Sequence, residues 1–250
     1  MIVGAISDIG LRREDNQDSM FASLEKEFPL FIVADGMGGH KAGDIASNMA
    51  VDGIIKNLKK NEGKLNSEES IKLLIKEAIE DINDKIYLRS FEVPEYSGMG
   101  TTITLAYVYK SKIFIGHVGD SRAYLINNNK IRQLTEDHTL VNELIKNGSI
   151  TPEEAVSHPQ RNMITRALGT SCFVDMDIYT IEHERDDVLL LCSDGLTNMI
   201  DEDTILKVIN YNKDRDMNMI CNSLVTLAKE NGGRDNITVI GIKFDDEVLK

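Results

Sequence analysis

The sequence predicts an α+β fold built as a single domain over residues 1–250. Three observations lead there. Apolar runs of strand length follow one another with breaks of a few residues, segments with helical spacing lie in blocks apart from them, and the two kinds do not alternate regularly. Breaks that short leave room for hairpins and none for crossover helices, so the sheet they build is antiparallel. The length sits near the upper end of what one hydrophobic core supports, and 42% hydrophobic with 28% charged residues is a globular composition.

Strand-like runs dominate the first 35 residues, ending with 28–34, and return at 101–109, 112–118, 122–126 and 130–134. Between them, a helix over about 41–60 places Ala42, Ile45, Ala46, Met49, Ala50 and Leu58 inward. A second over 66–89 aligns Ile71, Leu74, Ile75, Ala78, Ile79, Ile82 and Ile86 at three-and-four spacing. From about 137 to 170 the texture changes to loops and short helical pieces, including the capping box Thr151-Pro-Glu-Glu154, and this stretch is expected to form a flap. Strands resume at 176–182 and 187–192. A last helix aligns Met217, Ile220, Cys221, Leu224, Val225 and Ala228 before a terminal strand at 236–244.

Asp and Glu outnumber Lys and Arg by 41 to 28, and the net charge of −13 repels phosphate backbones and anionic lipid, so no nucleic-acid or membrane partner is expected. No apolar run reaches the roughly 20 residues of a spanning helix, and the opening MIVGAISDIG lacks a secretory pattern, which points to the cytoplasm. Cys172, Cys192 and Cys221 are odd in number and far apart, against a disulfide framework or a zinc site; packing accounts for them.

The informative pattern is an apolar run that ends in aspartate. Phe31-Ile-Val-Ala-Asp35-Gly36 and Leu189-Leu-Leu-Cys-Ser-Asp194-Gly195 share it, Ile115-Gly-His-Val-Gly-Asp120 is related, and Asp235 precedes the terminal strand. One Asp-Gly is usually a turn. Four such carboxylates meeting at one end of a sheet, with no lysine nearby, repel one another unless cations lie among them. Carboxylates and a glycine carbonyl suit Mg²⁺ or Mn²⁺ rather than zinc. Asp35 can bridge two ions, with Asp194 and Asp235 completing one shell and the Gly36 carbonyl the other. Water between two divalent cations becomes a nucleophile near neutral pH, and phosphoester hydrolysis is the natural reaction. Arg12 or Arg13 can hold phosphate, and His40, just past Asp35, can supply a proton.

These residues fall within six segments in a fixed order: Ser7-Asp8-Ile-Gly10-Leu-Arg-Arg13-Glu-Asp-Asn16-Gln17-Asp18, Val33-Ala-Asp35-Gly36-Met-Gly38-Gly39-His40, Gly98-Met-Gly100-Thr101-Thr102, Val118-Gly119-Asp120-Ser121-Arg122-Ala123, Ser193-Asp194-Gly195-Leu196 and Gly233-Arg-Asp235-Asn236-Ile-Thr238-Val239. Taken together they resemble the bacterial branch of the PP2C (PPM) metal-dependent serine/threonine protein phosphatases, over nearly the whole chain. The resemblance implies a central β-sandwich of two antiparallel sheets flanked by helix pairs, in four layers. It implies that Asp35 bridges two Mn²⁺ or Mg²⁺ ions, that Gly36 offers its carbonyl, and that Asp194 and Asp235 complete the first shell. Arg13 rather than Arg12 takes the phosphate-binding position, His40 that of general acid, Asp18 orders water, and Asp120 with Asp194 forms a weaker third-metal site. Gln17 stands where eukaryotic members often carry a glutamate ligand. The implied partners are phosphorylated proteins, a Ser/Thr kinase and its substrates among them, with the enzyme acting as a monomer.

Two other readings compete. A catalytically inactive phosphoprotein-binding module would have lost metal ligands, yet Asp35, Asp194 and Asp235 are all present beside Arg13 and His40. Asp175-Met-Asp177 is similar to the nucleophilic motif of haloacid-dehalogenase-type phosphatases, but it stands far from the start of the chain and is followed by Ile178 and Tyr179.

Overall fold

The structure, a computed structural model, describes residues 1–25, 27–39, 42–212 and 215–245. Eleven strands are found among these residues: β1 (Ile2–Asp8), β2 (Asp18–Ala22), β3 (Leu30–Met37), β4 (Gly100–Thr101), β5 (Ile103–Tyr109), β6 (Lys112–Val118), β7 (Arg122–Asn127), β8 (Lys130–Gln133), β9 (Asp177–Glu182), β10 (Val188–Cys192) and β11 (Ile237–Lys243). They form two antiparallel sheets, one ordered β1-β11-β10-β7-β8 and the other β2-β3-β5-β6-β9, with β4 added to β3.

Burial follows from the side-chain period of two. Phe31 and Val33 of β3 face the opposite sheet, where they meet Leu125, Leu189, Leu191, Ile240 and Ile242, while Leu30, Ile32 and Ala34 face the helices. Strands covered on both faces read as continuous apolar runs, which is why 28–34 and 188–192 carry no alternation. Helices α1 (Ala42–Lys60) and α2 (Glu68–Glu92) cover one sheet, and all seven α2 positions expected to face inward are buried. Among the α1 positions, Ile45 and Met49 are only partly buried. On the other sheet lie α6 (Glu202–Tyr211) and α7 (Met217–Glu230), α7 against β1 and β11 and α6 against β8 and α7, with Ile205, Ile209, Leu224 and Val225 in one apolar cluster with residues of β10 and β11. The four-layer sandwich expected from the resemblance is present. Short helices α3 (Leu140–Lys146) and α4 (Pro152–Val156) lie in the 137–170 stretch, α4 opened by the expected Thr151/Glu154 capping box, and α5 (Asp194–Thr197) follows β10 directly.

Two differences from the sequence reading concern the site. The run 28–34 begins as strand only at Leu30 and continues through Asp35 and Gly36 to Met37, because β4 extends the ladder through Gly36↔Thr101. Asp35 therefore stands within a strand rather than past its end. The run 101–109 is divided at Thr102, whose N–H turns to the Asp35 carbonyl at 2.9 Å, opening the ladder beside that aspartate. The helix α6 lacked a delimited prediction, since it is short and its start is marked only by Asp201, which accepts from Thr204 N at 2.8 Å.

Candidate active site

Five strands deliver acids to one end of the sandwich. Asp18 opens β2 directly opposite Asp35 in the antiparallel register, a like-charge cross-strand pair that is unfavourable by itself. Asp120 lies in the β6–β7 turn, Asp194 begins α5 after β10, and Asp235 precedes β11. At that turn Gly119 has φ +112°, and a Cβ there would meet the Thr102 side chain at 2.5 Å, so a side chain at 119 would push the Asp120 turn off the sheet.

The electrostatics record how crowded these acids are. Burial, then the charges of Asp18, Asp194, Asp120 and Asp235, pushes the Asp35 carboxyl well above the usual carboxylate range. Burial raises Asp18 to about 7, against hydrogen bonds from Thr238 and Ser193 and with help from the Asp194 and Asp235 charges. Burial and the charges of Asp194 and Asp137 raise Asp120 to about 8. Asp194 is raised by burial and by Asp235, and partly eased by hydrogen bonds with Asp35 and Asn198. Such mutual elevation marks negative charge that the protein's own cations do not neutralise.

Two cations act on the cluster: the Arg122 charge partly offsets the rise at Asp120, and Arg13 makes direct contact. The Arg13 Nη2 donates to Asp235 Oδ2 at 2.7 Å, and this bond, with the charges of Asp35 and Asp194, raises the guanidinium pKa further. Half of the Arg13 side chain remains exposed at the rim. Its loop, residues 9–17, is pinned by Asn236, whose Oδ1 accepts from Gln17 N (2.9 Å) and whose Nδ2 donates to the Ile9 and Asp15 carbonyls (3.0 Å each).

The residues present fit a divalent cation. Among the described residues Asp18 Oδ1 and Asp194 Oδ1 are shielded carboxylate oxygens without a hydrogen-bond partner, a costly arrangement for acceptor-only atoms. The donors are oxygens throughout, which suits Mg²⁺ or Mn²⁺. Among the described residues no three acidic, histidine or cysteine side chains already surround one point as a closed shell. Instead, Asp194 Oδ2 accepts from Asn198 Nδ2 at 2.9 Å and Asp235 turns to Arg13. Position 36 must be glycine: a Cβ there would fall 2.1 Å from the Gly43 carbonyl and 2.6 Å from that of Gln17, so strand β3 runs tight against the start of α1.

Asp18, Asp35, Asp120, Asp194, Asp235, Gly36 and Arg13 are thus brought together. His40 lies outside the described residues. Asp175 and Asp177 are not part of this cluster: Asp175 is exposed and paired with Arg166 at 3.1 Å, and Asp177 accepts from Tyr179 at 2.7 Å. The cysteines Cys192 and Cys221 are buried, and burial pushes both thiols up to about 12, so neither is a nucleophile at neutral pH. A cavity of about 480 Å³ opens between the 137–170 stretch and the acids, lined in part by Asp120, Asp194, Asn198, Val156 and Arg161. Ser7, Asn16, Ser193 and Thr238 stand in the motifs without an assigned role, because their contacts depend on which strands lie side by side.

The sequence profile of the protein phosphatase 2C family matches residues 12–231. The chain belongs to that family. As a member of the protein phosphatase 2C family it is a metal-dependent serine/threonine protein phosphatase, the activity its motifs imply. It is 42% identical to the serine/threonine phosphatase Stp of Listeria welshimeri, over 94% of this chain and 92% of that one. The Streptococcus agalactiae serine/threonine phosphatase structure superposes with a TM-score of 0.89 at 39% identity, covering 97% of this chain and 99% of that one. A structure of the PstP catalytic domain, solved in complex with two manganese ions, gives a TM-score of 0.81 at 32% identity over 98% of both chains. The haloacid-dehalogenase reading is set aside by this family membership and by the pairing of Asp175.

Proposed function

We propose that the acid cluster is the hydrolytic centre of this phosphatase and that it acts on phosphoserine and phosphothreonine in proteins by direct displacement, without a phosphoenzyme. Asp35, Gly36, Asp194 and Asp235 hold two Mn²⁺ or Mg²⁺ ions, and Asp120 with Asp194 offers a third site. Ions bound there neutralise the acids and supply both a water of lowered pKa and Lewis-acid stabilisation of the departing oxygen. The remaining work falls to the chain. Arg13, held at the rim by Asp235, is placed to receive phosphate oxygens bidentately, and Asp18 orients the attacking water through Oδ1. His40 carries the general-acid role by its place in the motif.

The observation that carries this reading is the set of shielded, unpartnered oxygens on Asp18 and Asp194, within a group of acids that raise one another's pKa. The test is hydrolysis of a phosphopeptide and of a generic phosphoester by purified protein. Activity is expected with Mn²⁺ or Mg²⁺ and is lost in chelator; undiminished activity in chelator would overturn the assignment.

A phosphoprotein carrying the marks of a Ser/Thr kinase of the same cell, or that kinase itself, is the proposed substrate. The enzyme is proposed to work as a monomeric single domain in the cytoplasm, with the 137–170 flap beside the substrate. No helix among the described residues is long and apolar enough to cross a membrane.

A further inference from the structure

With the Asp18 carboxylate ionised, as cation binding requires, the hydrogen bonds around it have only one direction. Its Oδ2 accepts from Ser193 Oγ at 2.8 Å and from Thr238 Oγ1 at 2.7 Å. A hydroxyl carries one hydrogen. Having donated it to Asp18, Thr238 can only accept from Ser7 Oγ, 2.8 Å away across the β1–β11 ladder, where Ser7 and Thr238 are direct register partners. Ser7 has then used its own hydrogen and accepts from Asn16 Nδ2 at 2.8 Å, while Asn16 Oδ1 takes the Asp18 N–H at 3.1 Å. Ser193 is fixed in the same way, since its Oγ accepts from Thr238 N at 3.0 Å. Ser193 and Thr238 are fully buried, so water does not compete. Two donors therefore saturate Oδ2 and leave Oδ1 as the oxygen open to a cation or its water.

We propose that Thr238 is a positioning residue that sets the Asp18 carboxylate for cation binding and, through Ser7 and Asn16, ties it to the loop that carries Arg13. The side chain lies at the branch point: one bond runs forward to Asp18, the other back to the loop. The cation side and the phosphate side of the site are thereby aligned by one buried chain spanning Ser7, Asn16, Asp18, Ser193 and Thr238.

This proposal rests on the metal-dependent reading above, and calorimetric titration with Mn²⁺ alone separates the two. Wild-type protein that takes up no Mn²⁺ would remove both. With wild-type binding in hand, Thr238→Val keeps a β-branched side chain in β11 but removes the donor to Asp18, and should weaken Mn²⁺ affinity about tenfold, the size of a lost hydrogen bond to a charged acceptor. Thr238→Ser, which keeps the hydroxyl, should restore it. Ser7→Ala leaves both donors on Asp18 in place and breaks only the link to the loop, so it should raise KM for a phosphoester several-fold with Mn²⁺ affinity unchanged. Wild-type Mn²⁺ affinity in Thr238→Val, failure of Thr238→Ser to rescue, or an unchanged KM in Ser7→Ala would overturn the proposal.

Discussion

Two groups of acids lie at neighbouring positions and are managed in opposite ways. At the base of the flap, Asp175 and Asp177 meet Arg166 at 3.1 and 3.7 Å, His138 Nε2 lies 3.3 Å from Asp177, and the Tyr179 hydroxyl donates to Asp177. Burial works to raise Asp177, but the bonds from Tyr179 and His138 and the Arg166 charge outweigh it and hold that carboxyl below its ordinary value. Next to it, Asp137 takes Arg122 bidentately, at 2.9 and 2.6 Å. In the active site Asp18, Asp35, Asp120 and Asp194 are more deeply placed, and Arg13 touches only Asp235. The difference separates acids that serve the fold from acids that serve a ligand: the first bring their own cations, and the second repel one another until cations are supplied.

Substitutions and conditions that act on one group alone test this contrast. The largest effect is expected from Asp35→Asn, which removes the charge shared by the whole cluster; phosphoester turnover measured at saturating Mn²⁺ should fall by about a thousandfold or more. Next comes the effect of the ions on stability. If Mn²⁺ binds the folded state at about a hundred times its dissociation constant, linkage contributes roughly 2.7 kcal/mol, which in a domain of this size raises Tm by roughly 5–10 °C over a chelated sample. A thermal melt insensitive to Mn²⁺ would show that the cluster needs no external charge.

A smaller effect is the pH dependence of the chelated protein. Asp18 and Asp120 have folded pKa values of about 7 and about 8, above the ordinary 3.8, so between these limits the folded state binds more protons than the unfolded one. Stability must therefore fall as pH rises from about 4 to about 8, and melts in chelator across that window should show Tm declining, with Mn²⁺ reversing the trend at the alkaline end. Asp177, whose folded pKa is depressed, contributes in the opposite sense: its stabilisation is present above 3.8 and lost as the pH falls through the folded value. The smallest effect is a pair of opposed shifts. In chelator, Asp120→Asn should raise Tm by roughly 2–4 °C, whereas Asp177→Asn should lower it by a similar amount. Shifts of the same sign would erase the distinction between the two groups.

Much of this was legible in the sequence, for identifiable reasons. The α2 face, the strand 112–118 and the Thr151 cap depend on spacing within a few residues and stand as read, whereas the run 101–109 is split at Thr102. The acids were legible because runs that must be buried ended in groups that resist burial. What stayed hidden depends on pairing between distant segments. Asp35 reads as the end of a run, and only its pairing with Asp18 of β2, with β4 carrying the ladder on through Gly36 and Met37, makes it part of a strand. The roles of Ser7, Asn16 and Thr238 follow from the register of β1 on β11, a contact between residues more than two hundred apart that no local pattern encodes.

That register has a consequence for how the protein is born. Among the described residues strand β1 has β11 as its sole neighbour in the sheet, so β1 has nothing to pair with there until residues 237–243 have been made. Nascent chains interrupted before residue 237 lack both that partner and the Thr238 hydroxyl, and contacts of such long range close late. A copy that stops short of β11 therefore leaves Asp18 without that donor, and the acid cluster is assembled only once β11 is in place.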